Sequence, residues 1–171
     1  MGGVSSRSAF SSKLKKRRGM GSWDAGNFEN DTAMDWVGDL RESRSVTIVR
    51  DALIRVIEQS APQRPSFVGR LLCRHPAEPY LPASVASEAL AAAEIVACWL
   101  GHPLPELPDG VAEWTREHAQ EFSPDSGQLA RQAVAIIKTK SELKDLWEEG
   151  DASIGFKWHA VIADLERRLQ S

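Results

Sequence analysis

Cysteine is scarce in this chain. Cys73 and Cys98 are the two among 171 residues, 25 positions apart and in no C-x-x-C pair, which excludes a disulfide framework and a thiol redox motif. No apolar run reaches the ~18 residues of a membrane span. The basic stretch Lys13 to Arg18 is followed by Gly, Ser and Asp instead of an apolar segment, so no secretory signal peptide is predicted. A reduced, cytoplasmic setting is the expectation. There is no G-x-S-x-G elbow and neither G-x-x-x-x-G-K-[ST] nor G-x-G-x-x-G, which leaves a hydrolase nucleophile and a phosphate-cradling loop without support. No segment alternates like a strand, and no internal repeat is evident.

Charge and apolar pattern remain. With 42% hydrophobic residues the chain can bury a core without staples. The net charge of −3 hides an asymmetry, because Arg7, Lys13, Lys15, Lys16, Arg17 and Arg18 face no acid in residues 1–19. Setting those six cations aside leaves 15 basic against 24 acidic residues, a body of −9. Such a body repels phosphates, so no nucleic-acid partner is expected. "MGGVSS" before "KLKKRR" fits an acylation signal beside a basic patch, but the pattern is short and frequent by chance, and no membrane anchoring is expected. Residues 1–19 hold too few large apolar side chains to pack and read as a disordered basic leader.

From Asn30 or Asp31 onward the period is helical. Ala33, Trp36, Val37 and Leu40 form one stripe, and Val49, Ala52, Leu53 and Val56 a second over residues 46–59, with Asp51 and Arg55 at i, i+4 spacing. Residues 60–82 are Pro-rich and read as a long loop. "SVASEALAAAEIVACWLG", about 84–101, is apolar nearly all round and belongs at the centre of a bundle. Further helices are expected over about 110–122, from Pro124 with Ala130, Ala133, Val134 and Ile137 inward, over "SELKDLWEEG", and over about 155–169 with Trp158, Val161, Ile162, Leu165 and Leu169. The expectation is an all-α bundle of six or seven helices, one domain spanning residues 20–171.

These residues carry a likeness. Gly21, Trp23, Gly26, Phe28, Glu29, Asn30, Asp31, Ala33, Asp35, Trp36 and Leu40, then "SEALAAAEIVA", "LP" before Trp114, "SELKDLWEE" and the terminal "VIADLERRL", resemble the bacterial family of unknown function DUF4259 over about residues 20–171. Asp24 stands where a Gly is common, and the loop at 60–82 is longer than usual. The resemblance implies a helical, bacterial, cytosolic protein whose initiator is Met20, residues 1–19 arising from an upstream start. It carries over no activity and no catalytic residue.

Each candidate site has a plain alternative. Asp24, Glu29, Asp31 and Asp35 could hold a hard divalent cation, but the spacing is not an EF-hand, and helix capping accounts for Asn30, Asp31 and Asp35. Gly21 and Gly26 suit tight turns, with Trp23 and Phe28 plugging the bundle end. Glu94, inside the all-apolar helix, must be paired, hydrogen-bonded or protonated. It is the candidate general acid or base. As a structural group it would accept from backbone N–H groups of the Trp23–Asn30 loop or pair with an Arg such as Arg131, while Glu88 sits at the rim. Cys73, His75, Cys98 and His102 assemble a zinc set on paper, but Gly101 breaks the shared face of the last two, so no metal and no cofactor is expected. Cys98 beside Trp99 reads as inert. His118 and His159 fall on helix surfaces, and six tryptophans lie on or beside apolar stripes, as core more than as a partner surface.

The function expected is therefore a protein-binding module of inhibitor or immunity type, steering a basic partner by its charge. The alternative is a small-ligand or hydrolytic site where Trp23, Asp24, Glu29, Asn30, Asp31 and Asp35 meet Glu94. Geometry separates them: an enzyme needs Glu94 in an open pocket with a second polar group in reach.

Overall fold

The computed structural model describes residues 25–61, 80–149 and 152–170. The leader, Trp23, Asp24, Cys73, His75 and most of the Pro-rich loop lie outside them. Among the described residues the chain forms seven α-helices and no strand, an all-α bundle: α1 (Asp31–Glu42), α2 (Thr47–Ser60), α3 (Ala83–Trp99), α4 (Val111–Glu117), α5 (Ser126–Thr139), α6 (Glu142–Glu148) and α7 (Ala152–Arg168).

The apolar all-round helix is the axis of the fold. α3 packs against each of the other six helices. Its buried positions are mostly alanine, including Ala86, Ala89, Ala91, Ala92, Ala93 and Ala97, all fully buried, and these short side chains let neighbours approach closely. The expected stripes of α1, α2 and α5 are the ones buried against it. On α7, Trp158, Ile162 and Leu165 are buried, as is Leu169 just beyond its end, and Val161 is half-buried at the edge.

The ends are set by local chemistry. Asn30 accepts from the Ala33 amide at 2.8 Å and starts α1. α3 ends as the sequence suggests: Gly101 adopts φ +91°, its amide donates to Cys98, and the His102 amide donates to Ala97, a Schellman closure. The expected helix over 110–122 is instead two pieces, α4 and a 3₁₀ turn, Ala119–Glu121. His118 leaves helical geometry at φ −99°, ψ 10°, and its ring stacks half-buried on Trp114 at 4.3 Å instead of facing solvent.

The start of α3 is capped from a distance. Pro82 offers no capping side chain, and the Ala83 amide donates 3.0 Å to the Glu142 carboxylate at the start of α6. Beside it the Glu142 amide donates to the Leu81 carbonyl at 2.9 Å, and the Tyr80 hydroxyl donates to Asp145 at 2.6 Å. α7 then runs close over α6: a Cβ at Gly155 would stand 3.1 Å from the Trp147 carbonyl oxygen. Gly38, exposed in the middle of α1, faces open space.

Two outcomes follow. Gly155→Ala should lower stability by about 1 kcal/mol by pushing α7 off backbone, whereas Gly38→Ala should raise it by roughly 0.5–1 kcal/mol through helix propensity alone; denaturant melts of both check the contrast. The Asp145 hydrogen bond, with burial and the nearby acids, pushes the Tyr80 hydroxyl up to about 12. The folded state thus holds the phenol proton more tightly, so the clamp's stabilisation is full below pH 10 and lost as pH rises towards about 12. Tyr80 is the single tyrosine, so its phenolate absorbance reads one group. A midpoint near 12 is expected, falling towards 10 in Asp145→Asn; a wild-type midpoint at 10 contradicts the clamp.

Candidate functional site

Glu94 lies in the middle of α3 with no exposed surface. A carboxylate there must be paired and hydrogen-bonded, and both its oxygens are. Arg168, the last residue of α7 and 9% exposed, donates from Nη1 to Oε2 at 2.6 Å and from Nη2 to Oε1 at 2.8 Å, the two-pronged geometry in which an arginine matches a carboxylate. Asn27, 4% exposed in the turn before α1, adds its amide Nδ2 to Oε1 at 2.7 Å. Arg168 is itself aimed by Asp164, one helical turn earlier, which accepts from Nε at 2.7 Å, and by the His102 carbonyl at 3.3 Å. Burial alone would lower the guanidinium, but Glu94 and Asp164 outweigh it and hold it above its ordinary value.

The partners differ from those the sequence suggests. Arg131 does not reach Glu94; it sits exposed on α5 and donates to the Leu169 carbonyl at 2.7 Å, tying down the chain just after α7. The Trp23–Asn30 loop contributes the Asn27 side chain in place of the expected backbone N–H groups. The Asn27 Oδ1 is buried without a hydrogen-bond partner. Turning the amide over would aim that oxygen at a carboxylate, so the orphaned acceptor is the lesser cost.

Of the other candidates, Asn30 caps α1 and Asp31 lies in its first turn. Glu29 accepts from the Gly26 amide at 3.4 Å across a turn closed by the Glu29 amide on the Gly26 carbonyl. These acids do not converge, and among the described residues no three His, Cys, Asp or Glu side chains gather as a metal set. Asp35 instead lines a hollow of about 450 Å³ between α1, α2 and α3, floored by Trp36 and Ile48 and walled by Asp39, Asp51 and Glu88. Arg55 spans it to Glu88 at 2.6 Å instead of pairing with Asp51 along its helix. Asp35, Asp39 and Asp51 make no ion pair among the described residues.

Cys98 is half-buried near Thr115, and burial raises its thiol, so it carries little thiolate. Trp36, Trp114 and Trp158 are buried, and Trp99 and Trp147 pack against the core.

Sequence reasoning missed Arg168 and Asn27. Arg168 had a signal: three residues beyond Leu165 and next to Leu169, it falls beside the apolar stripe of α7, where a cation needs a buried anion.

Fold and site together define an all-α bundle threaded by a central alanine-rich helix whose one buried carboxylate is locked to the end of the last. The chain belongs to the family described as Domain of unknown function (DUF4259), whose model matches residues 21–68 and 64–160. Comparison with curated proteins and with solved structures found no match. Among the described residues no helix is long and apolar enough to cross a membrane.

The lock is a stability device. Glu94→Gln and Arg168→Met should each cost about 3 kcal/mol or more, since each strands a buried partner. The double change Glu94→Leu with Arg168→Met should cost less than their sum. Denaturant melts of the three variants decide it, and a fully stable Glu94→Gln would refute the pairing.

Proposed function

We propose that this protein is a binding module of inhibitor or immunity type in the bacterial cytoplasm, acting by docking a basic protein. The observation that carries this reading is the acidic hollow between α1, α2 and α3, where Arg55 pairs with Glu88 and, among the described residues, Asp35, Asp39 and Asp51 make no ion pair. Unpaired carboxylates on one face, on a body of −9, attract and orient a cationic surface. The contrary reading, a hydrolytic or small-ligand site at Glu94, needs that carboxylate in an open pocket. Glu94 instead has no exposed surface and both its oxygens accept hydrogen bonds, which supports a structural role.

Attraction of this kind is screened by salt, because the Debye length shrinks from ~10 Å at 0.1 M to ~3 Å at 1 M. The test is to purify the tagged protein gently from its own cells, beside the Asp35→Lys, Asp39→Lys, Asp51→Lys triple variant. A stoichiometric basic protein on the wild type, released by salt and absent from the variant, is expected. Equal retention by both, or a bound metal or small molecule in place of a protein, overturns the proposal.

A further inference from the structure

The outward crest of α1 separates two hollows. On one flank lie Asp35 and Asp39 in the acidic hollow; on the other, Met34 and Val37 meet Leu107 and Pro108 around a second hollow of about 430 Å³. Met34 is 45% exposed there, and Arg41 and Asp109 stand at the rim. Counting 100° per residue from the buried stripe of Ala33, Trp36, Val37 and Leu40, the crest runs through Asp31, Asp35, Gly38 and Glu42. Gly38 is the only one of these four without a side chain, so the ridge has a low point where the two hollows approach each other. The glycine is not required by the fold: a Cβ there meets nothing within 4 Å, and the residue sits in ordinary helix, where glycine is unfavourable. Bare backbone at an exposed crest is what lets a second backbone cross closely.

We infer that α1 is the docking element, and that an amphipathic basic helix of a partner protein crosses it over Gly38. Its cations point to Asp35, Asp39 and Asp51, and an apolar side chain enters the hollow beside Met34 and Leu107. The inference rests on the reading of the chain as a module for a basic partner and names the surface and secondary structure involved. Charge complementarity identifies the occupant's sign, and the mixed hollow on the far flank, where Met34, Leu107 and Pro108 lie between Arg41 and Asp109, favours an amphipathic segment, because a uniformly cationic one would desolvate charges against Met34 and Pro108 and face Arg41.

The probe is a synthetic amphipathic helix of leucine and lysine, with a leucine and glutamate helix of equal length as control, titrated by fluorescence anisotropy. The wild type should bind the basic helix and not the acidic one. Gly38→Trp, which adds bulk in open space and, by replacing a helical glycine, should not lower the thermal melt, is expected to weaken binding at least tenfold. Gly38→Ala should stay within threefold of wild type, since one methyl group lowers the saddle's clearance only slightly. If Gly38→Trp binds as wild type while Asp35→Lys with Asp39→Lys abolishes binding, the crossing at Gly38 is overturned and the basic-partner reading stands. If the wild type ignores the basic helix, or both probes bind alike, the docking face is overturned as well.

Discussion

One carboxylate organises this bundle. α3 contributes twelve buried positions, and all but Ser87 and Glu94 are apolar. A charge at the centre of such a helix costs several kcal/mol unless it is paired and hydrogen-bonded, so the fold has to deliver partners to it. The partners come from opposite ends of the described chain: Asn27 precedes the first helix and Arg168 closes the last, 67 and 74 residues away from Glu94. The two segments that close the bundle are held by one residue in its middle. A hydrophobic pair of the same volume could stabilise as well, but it would accept many registers, whereas the two-pronged arginine contact accepts one.

The alanine content of α3 is the second constraint, and it explains the helix's many neighbours. A leucine-rich central helix would hold its partners at 8–10 Å interaxial spacing with large interlocking side chains. Short side chains let six helices crowd around one axis, and the bulky residues, Trp36, Trp114, Trp158, Ile137 and Leu165, are supplied by the outer helices. Among the described residues tryptophan is therefore chiefly a core residue, which leaves charge, a half-exposed methionine and bare backbone to mark the surface.

The surface is uneven for the same reason. α1 and α2 turn their apolar stripes fully inward, so their outer faces carry only what solvent and partners require. Along α1 this is three aspartates and a glutamate at helical spacing, interrupted by Gly38. The last three helices instead pair several of their acids with bases, Lys144 with Glu148 within α6 at 2.6 Å and Lys138 of α5 with Glu166 of α7 at 2.8 Å. Along α1 and α2, by contrast, Asp35, Asp39 and Asp51 make no ion pair among the described residues.

Much of this was legible from the amino-acid order. Stripes at Ala33 to Leu40, Val49 to Val56 and Ala130 to Ile137, the Asn30 cap and the glycine closure at Gly101 are local, because helix periodicity and capping depend on residues within a few positions of one another. Glu94 also announced itself, since an acid inside an apolar helix must be answered. Its partner was not legible: Arg131 and Arg168 are both basic residues on amphipathic helices, and choosing between them requires the packing angle of α5 and α7 on α3. The trans cap of Ala83 by Glu142, the break at His118 and the close crossing at Gly155 are equally set by contacts between distant segments. Sequence alone determined which helices form and that a buried charge needed an answer; only the tertiary structure decided which cation answers it and which acids remain unpaired at the surface, because pairing depends on distances that only packing fixes.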